Sequence, residues 1–307
     1  MFPKTDGLIA ATFTPMHADG SINLDPVAAI TDHLVESGMT GIYVTGSTGE
    51  GPSLSDAERR AVLEAYTQAA GDRLRVFAQV GQDSIAQARE LASYARSIGA
   101  SAISAVTPTY FKPASVEALV EAMAHIAGGA PELPFYYYHI PTVTGVTTDV
   151  VEFLKIGSQR IANLAGVKYT ASTLQELQAC IEYDGGRFDM LSGFDEMLLP
   201  AMAVGATGAV GSTFNFAAPV YHQVRRAFAA GDIVEARRWQ SKSIDIVRAF
   251  VPYGGREAQK AMMKMIGFDC GPTRPPLMSV EGERYDQLRA DLDAAGFFEI
   301  QKQSAGA

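Results

Sequence analysis

Eight times along this 307-residue chain, a short apolar run of β type gives way to a segment with helical spacing. The runs are 8–14 (LIAATFT), 41–45 (GIYVT), 75–80 (RVFAQV), 102–107 (AISAVT), 134–140 (PFYYYHI), 163–169 (NLAGVKY), 188–193 (FDMLSG) and 208–213 (GAVGST). Between them the helical signals are local and physical. Ser55 precedes Glu58 by three residues, a capping box, and Ala61, Val62, Ala65, Tyr66 and Ala69 follow at helical spacing. From Ser84 to Ile98 one face carries Ile85, Ala88, Leu91, Ala92, Ala95 and Ile98, and Gly99 marks the stop. Eight consecutive strand–helix units predict a closed α/β structure, the (β/α)8 TIM barrel. An open doubly wound sheet usually has fewer units and often a dinucleotide fingerprint. The first run here leads into TFTPMHADG, with no GxGxxG. The barrel is therefore expected over 1–230. After Gly231 the pattern turns purely helical, near 232–250, 255–266 and 283–295, with a polar tail after Phe298. Residues 231–307 thus read as a C-terminal helical extension packed on the barrel.

Composition narrows the partners. A chain 47% hydrophobic and 19% charged has a sizeable core, and its net charge of −9 repels phosphate backbones and anionic lipid. Neither nucleic acid nor a membrane is expected as a partner. Cys180 and Cys270, the two cysteines, form no CxxC pair, which suits a reducing compartment and excludes a thiolate zinc site. The N-terminal MFPKTDGLIAATFTP lacks a signal-peptide core, and no eighteen-residue apolar run occurs. A cytoplasmic location is expected.

Barrel sites gather where strands end and βα loops begin. Of the eight lysines, Lys4, Lys112, Lys155, Lys242, Lys260, Lys264 and Lys302 fall in loops, tails or helical segments. Lys168 alone sits inside a strand, at its C-terminal end. On residue type alone, a salt-bridged or snorkelling lysine is the plainer reading. Its position favours a Schiff-base nucleophile, because an apolar barrel mouth disfavours the ammonium and an amine attacks carbonyls only when neutral. The stretch GSTGEG, 46–51, lacks the lysine of a P-loop. Either it is a tight turn needing glycine dihedrals, or its amides and the Ser47 and Thr48 hydroxyls cradle a small carboxylate. Strand alternation in YYYHIP points Tyr136 and Tyr138 to one face and Tyr137 and His139 to the other. Tyr138 could then face Lys168 and move protons. His17, His33, His125, His139 and His222 show neither HxH nor HExxH spacing, and the adjacent acids of GFDE are weak ligands by themselves, so no metal is expected.

GSTGE, YYYHIP, GVKYT, GFDE and GAVGSTFN, in this order and at these strand ends, resemble the N-acetylneuraminate lyase family of the pyruvate-dependent class I aldolases. The resemblance runs from about Gly7 to at least Phe228. It implies a covalent pyruvate imine on Lys168 with no cofactor, and proton relay by Tyr138. Ser47 and Thr48 would hold the pyruvyl carboxylate, with Thr48 and Tyr110 also orienting Tyr138. It further implies that Tyr110, in TPTY, extends into a neighbouring subunit of a homotetramer. Thr170, Gly193, Asp195, Glu196 and Ser212 would meet the sugar-derived chain. Dihydrodipicolinate synthases, the related branch, usually carry an arginine where YHIPTVTG places Val143, and a valine cannot pair with a second carboxylate. The small-molecule substrates implied are sialic acid, pyruvate and N-acetylmannosamine. Two other readings remain: a different pyruvate aldolase or synthase, of the dihydrodipicolinate or 2-keto-3-deoxy sugar acid type, or a sensor that binds without turnover.

Overall fold

The computed structural model of the chain describes residues 2–304. Eight strands, β1 (Gly7–Ala11), β2 (Gly41–Val44), β3 (Arg75–Gln79), β4 (Ala102–Val106), β5 (Phe135–His139), β6 (Leu164–Tyr169), β7 (Asp189–Ser192) and β8 (Gly208–Gly211), pair in parallel. They close in sequence order, β8 returning to β1. Helices α1 (Val27–Glu36), α2 (Asp56–Ala70), α3 (Ile85–Ser97), α4 (Val116–Ala127), α5 (Pro141–Thr144) and α6 (Val150–Arg160) follow the first five strands. Then come α7 (Leu174–Gly186), α8 (Leu198–Ala203) and α9 (Phe214–Ala229). The extension holds α10 (Ile233–Phe250), α11 (Gly255–Met265), α12 (Glu283–Ala294) and α13 (Phe297–Ser304).

The strand period of two divides the apolar residues between two cores. Ile9, Tyr43, Phe77, Tyr136, Tyr138, Leu191 and Val210 fill the barrel, while Leu8, Ile42, Val44, Val76, Tyr137 and Val167 pack outward under the helices. The expected helix starts hold. Ser55 accepts from the Glu58 amide and Glu58 reaches back, and Ser84 caps α3. The buried stripe of α2 is rotated from the expected one: Val62, Leu63, Tyr66 and Ala70 are buried, whereas Ala61, Ala65 and Ala69 are only partly so. Larger side chains take the core-facing positions because they remove more apolar area from water.

Most strands stop one to three residues short of the apolar runs, at their C-terminal ends. At β2 the cause is visible: Thr45 has φ 57, a left-handed conformation that breaks the ladder and turns the chain over the barrel mouth. As far as residue 304, the polar tail expected after Phe298 is instead helix α13, because Phe297 and Ile300, three residues apart, are both buried; the last three residues of that tail lie outside the described residues. Phe297 meets Phe216 of α9 edge-on, with ring centres 6.1 Å apart.

Candidate active site

Lys168 and Tyr138 are register partners on β6 and β5, so both side chains enter the barrel at the same level. The lysine is 4% exposed. Its Nζ lies 4.1 Å from the centre of the Tyr138 ring and 3.9 Å from that of Tyr43 on β2. Among the described residues no carboxylate forms an ion pair with it. Burial holds its ammonium below the ordinary lysine range, while the Tyr138 hydroxyl and the charge of Asp195 pull the other way. Tyr137 and His139 alternate outward, as their spacing requires. His139 stacks on Tyr169 at 5.3 Å, and burial lowers its imidazolium to about 4, so it is neutral near pH 7.

The turn after β2 uses its glycines differently from the expectation. Left-handed dihedrals fall on Thr45 and Glu50, at φ 57 and 54, not on Gly46, Gly49 or Gly51. Those glycines supply space: a Cβ on Gly51 would stand 1.9 Å from the Thr45 carbonyl oxygen, and one on Gly46 2.8 Å from the Tyr43 ring. Arg256 of α11 donates from Nε to the Ser47 carbonyl at 2.6 Å. Behind the loop, Glu50 meets the Lys260 ammonium at 2.8 Å and accepts the Arg274 amide at 2.9 Å. Lys260 is thus buried and paired, although its place in a helical segment suggested nothing unusual.

A cavity of about 240 Å³ opens above Lys168. Ser47, Thr48, Tyr138, Lys168, Thr170, Gly193, Asp195, Glu196 and Ser212 all line it. Thr170 Oγ1 is buried there with no hydrogen-bond partner. Gly193 leaves it that room, since a Cβ at 193 would lie 1.8 Å from the Thr170 oxygen. Asp195 is less free than its position in GFDE suggests. Its Oδ2 accepts from the Thr213 amide at 2.8 Å and hydroxyl at 2.6 Å, tying it to the turn after β8. Burial and the neighbouring Glu196 raise its carboxyl to about 6, against the opposing Thr213 bonds.

Two residues singled out in the sequence lie outside this cavity. Tyr110 is 80% exposed, its ring edge-on to the exposed Phe111, while Asp83 accepts its backbone amide at 3.2 Å. Val143 is exposed on α5, one turn beyond Ile140, which does line the cavity. Val143 therefore makes no contact with the site. Conversely, Tyr43, Phe250, Arg256 and Gln259 belong to the site and escaped sequence reasoning. Gln259 donates to Ser212 Oγ at 2.9 Å. Inward alternation in GIYVT could have found Tyr43. Nothing local marks residues of α10 and α11 as lining a site formed at the strand ends.

A larger groove, about 720 Å³, runs between α11 and the 269–286 segment, but none of the candidate residues lines it. Among the described residues no group of three His, Cys, Asp or Glu side chains is placed to hold a metal ion, and no helix is long and apolar enough to cross a membrane.

Fold and site together define a closed (β/α)8 barrel with a buried lysine near the C-terminal end of its sixth strand. The chain belongs to the dihydrodipicolinate synthetase family, whose pattern matches residues 4–295. It is 41% identical over 296 residues to the N-acetylneuraminate lyase of Xenopus tropicalis, covering 94% of this chain and 96% of that one. The N-acetylneuraminate lyase of Proteus mirabilis superposes with a TM-score of 0.93 at 39% identity, over 96% of this chain and 100% of the other. A dihydrodipicolinate synthase of Bacillus anthracis also superposes well, with a TM-score of 0.88 over 94% of this chain and 98% of the other, at 26% identity. The backbone is common to both.

Proposed function

We propose that this protein is an N-acetylneuraminate lyase, cleaving sialic acid to N-acetylmannosamine and pyruvate through an imine on Lys168. The observation that carries the reading is the pairing of Lys168 with Tyr138, a buried amine with no ion-paired carboxylate among the described residues, beside a phenol in register. A site that only bound its ligand would need neither the neutral amine nor the adjacent proton carrier, which sets the sensor reading aside. The names of the relatives at about 40% identity support the lyase over the synthase.

In this reading the neutral Lys168 amine adds to C2 of the keto acid. With one proton taken up and water lost, the adduct becomes a protonated imine. Ser47 and Thr48, on the loop clamped by Arg256 and Glu50, hold the carboxylate. The positive nitrogen withdraws electrons, so the C3–C4 bond breaks with its pair moving into a neutral enamine. Tyr138 takes the proton of the C4 hydroxyl while its own phenolic proton passes to the substrate carboxylate, and the aldehyde forms. A proton then returns to C3 of the enamine, and water frees pyruvate and Lys168. The unpartnered Thr170 hydroxyl, with Glu196 and Ser212, receives the hydroxylated chain. The exposed Tyr110–Phe111 pair supports a homo-oligomer in which a second copy covers this apolar surface, Tyr110 serving the neighbour's site.

Competing condensations test substrate identity. Pyruvate should join N-acetylmannosamine faster than aspartate semialdehyde. The semialdehyde's carboxylate finds no arginine at 143 and meets Glu196, a loss of about 10–150-fold from the missing charge-assisted hydrogen bond alone. Equal or better rates with the semialdehyde, read by product mass, would move the protein to the synthase branch.

A further inference from the structure

We propose that the ring of Tyr43 is a catalytic surface, the π face on which the positive nitrogen of the Lys168 imine rests. The inference depends on the Schiff-base reading of Lys168 and adds a residue to it. The protonated imine carries a charge that the attacking neutral amine does not, in a site that disfavours charge by burial. No ion-paired carboxylate awaits that charge among the described residues. What do await it are two rings, Tyr138 at 4.1 Å from Nζ and Tyr43 at 3.9 Å, both well inside the ~6 Å over which a ring face attracts a cation. Tyr138 already has a proton to carry, and Tyr43 has no other task in the reaction. Because the attraction acts on the cationic intermediate and not on the neutral amine, it favours the step that needs help.

Tyr43 is held for this from three sides. Its hydroxyl donates to Ser104 Oγ on β4 at 2.9 Å, which fixes the ring's tilt. Tyr138 stands edge-on to it, with centres 5.8 Å apart and planes at 77°. Gly46 packs so close that a Cβ would stand 2.8 Å from a ring carbon, so the ring also seats the loop that presents Ser47 and Thr48. The plainer alternative is that Tyr43 merely fills the barrel. Volume and ring electronics can be separated by experiment.

Tyr43 is replaced with phenylalanine, then with 4-fluoro-, 3,5-difluoro- and 3,4,5-trifluorophenylalanine by nonsense suppression. Circular dichroism verifies the fold. The readout is pyruvate fixed to Lys168 by borohydride, whose hydride reduces the imine to a secondary amine, followed by intact mass at subsaturating pyruvate. Phenylalanine keeps the ring and should stay within a few-fold of the parent chain. Each added fluorine should then lower the initial rate of adduct formation, by about 2–30-fold across the series. A flat series would show that the ring only packs, and loss of adduct already in Tyr43→Phe would assign the effect to the hydroxyl; either overturns the proposal. Absence of adduct in the unaltered chain would instead remove the Schiff-base reading itself, a failure visible before any variant is made.

Discussion

Lys168 and Lys260 are buried to nearly the same degree, 4% and 3% exposed, yet their surroundings assign them opposite work. Lys168 faces two aromatic rings at the barrel mouth. Lys260, on α11, meets the Glu50 carboxylate at 2.8 Å and the Pro272 carbonyl oxygen at 2.7 Å. Burial pulls both ammonium groups below the ordinary range, and at Lys260 the first opposing influence is the carboxylate. A carboxylate partner favours the ammonium at Lys260 and joins two segments; no such ion pair opposes loss of the proton at Lys168, which the proposed mechanism requires. Burial alone does not make a nucleophile, and the partner decides.

The sharpest way to break this contrast is to remove each lysine. Lys168→Ala should abolish both turnover and the borohydride-trapped pyruvate adduct while keeping a cooperative melt. In the parent chain, trapping should rise with pH and level off well below ~10.4, the ordinary lysine value. An adduct mapped to Lys260 would invert the comparison. Tyr138→Phe should still form the imine but cleave the carbon–carbon bond about 10²–10⁴-fold more slowly, read by single-turnover kinetics.

Lys260→Ala should cost about 3–5 kcal/mol in denaturant unfolding, because the buried Glu50 loses its ammonium partner, yet pyruvate should still be trapped on Lys168. Lys260→Met combined with Glu50→Gln should recover more than half of that loss, the glutamine oxygen still accepting the Arg274 amide. The smallest effect expected is a pH dependence at Asp195, whose carboxyl is raised to about 6. From the ordinary value of ~4 up to about 6, the folded chain keeps a proton that the unfolded chain has released, so rising pH costs stability across that window. Asp195→Asn still offers Thr213 an oxygen. It should gain on the parent chain over the same window by at most about 3 kcal/mol, and no further above it. A constant difference in melting temperature from pH 4 to 7 would show that Asp195 is ionised throughout.

What could be read in advance depended on range. The inward face of β5 and the strand-end place of Lys168 follow from alternation over a few residues, and both hold. The cap at Ser55 is equally local. Lys260 passed as an ordinary helical lysine because its partner, Glu50, is 210 positions away by number and joined to it only through space. The same holds for Arg256 on Ser47 and Gln259 on Ser212. Asp195 was legible as a site residue, but its engagement with Thr213 was not, since that bond spans two strands.

By itself the sequence determined the eightfold alternation, the sides to which the strand residues point, and the position of Lys168 at a strand's end. Those are properties of a period of two and of short-range capping, which a few neighbouring residues dictate. Only the tertiary structure decided which buried lysine is paired, that the Tyr43 ring lies against the Lys168 nitrogen, and that helices from the extension wall the cavity. Each of these depends on closing the barrel and packing α10 and α11 against its mouth. Charge pairing and ring contact act over a few ångströms of space, whatever the separation along the chain.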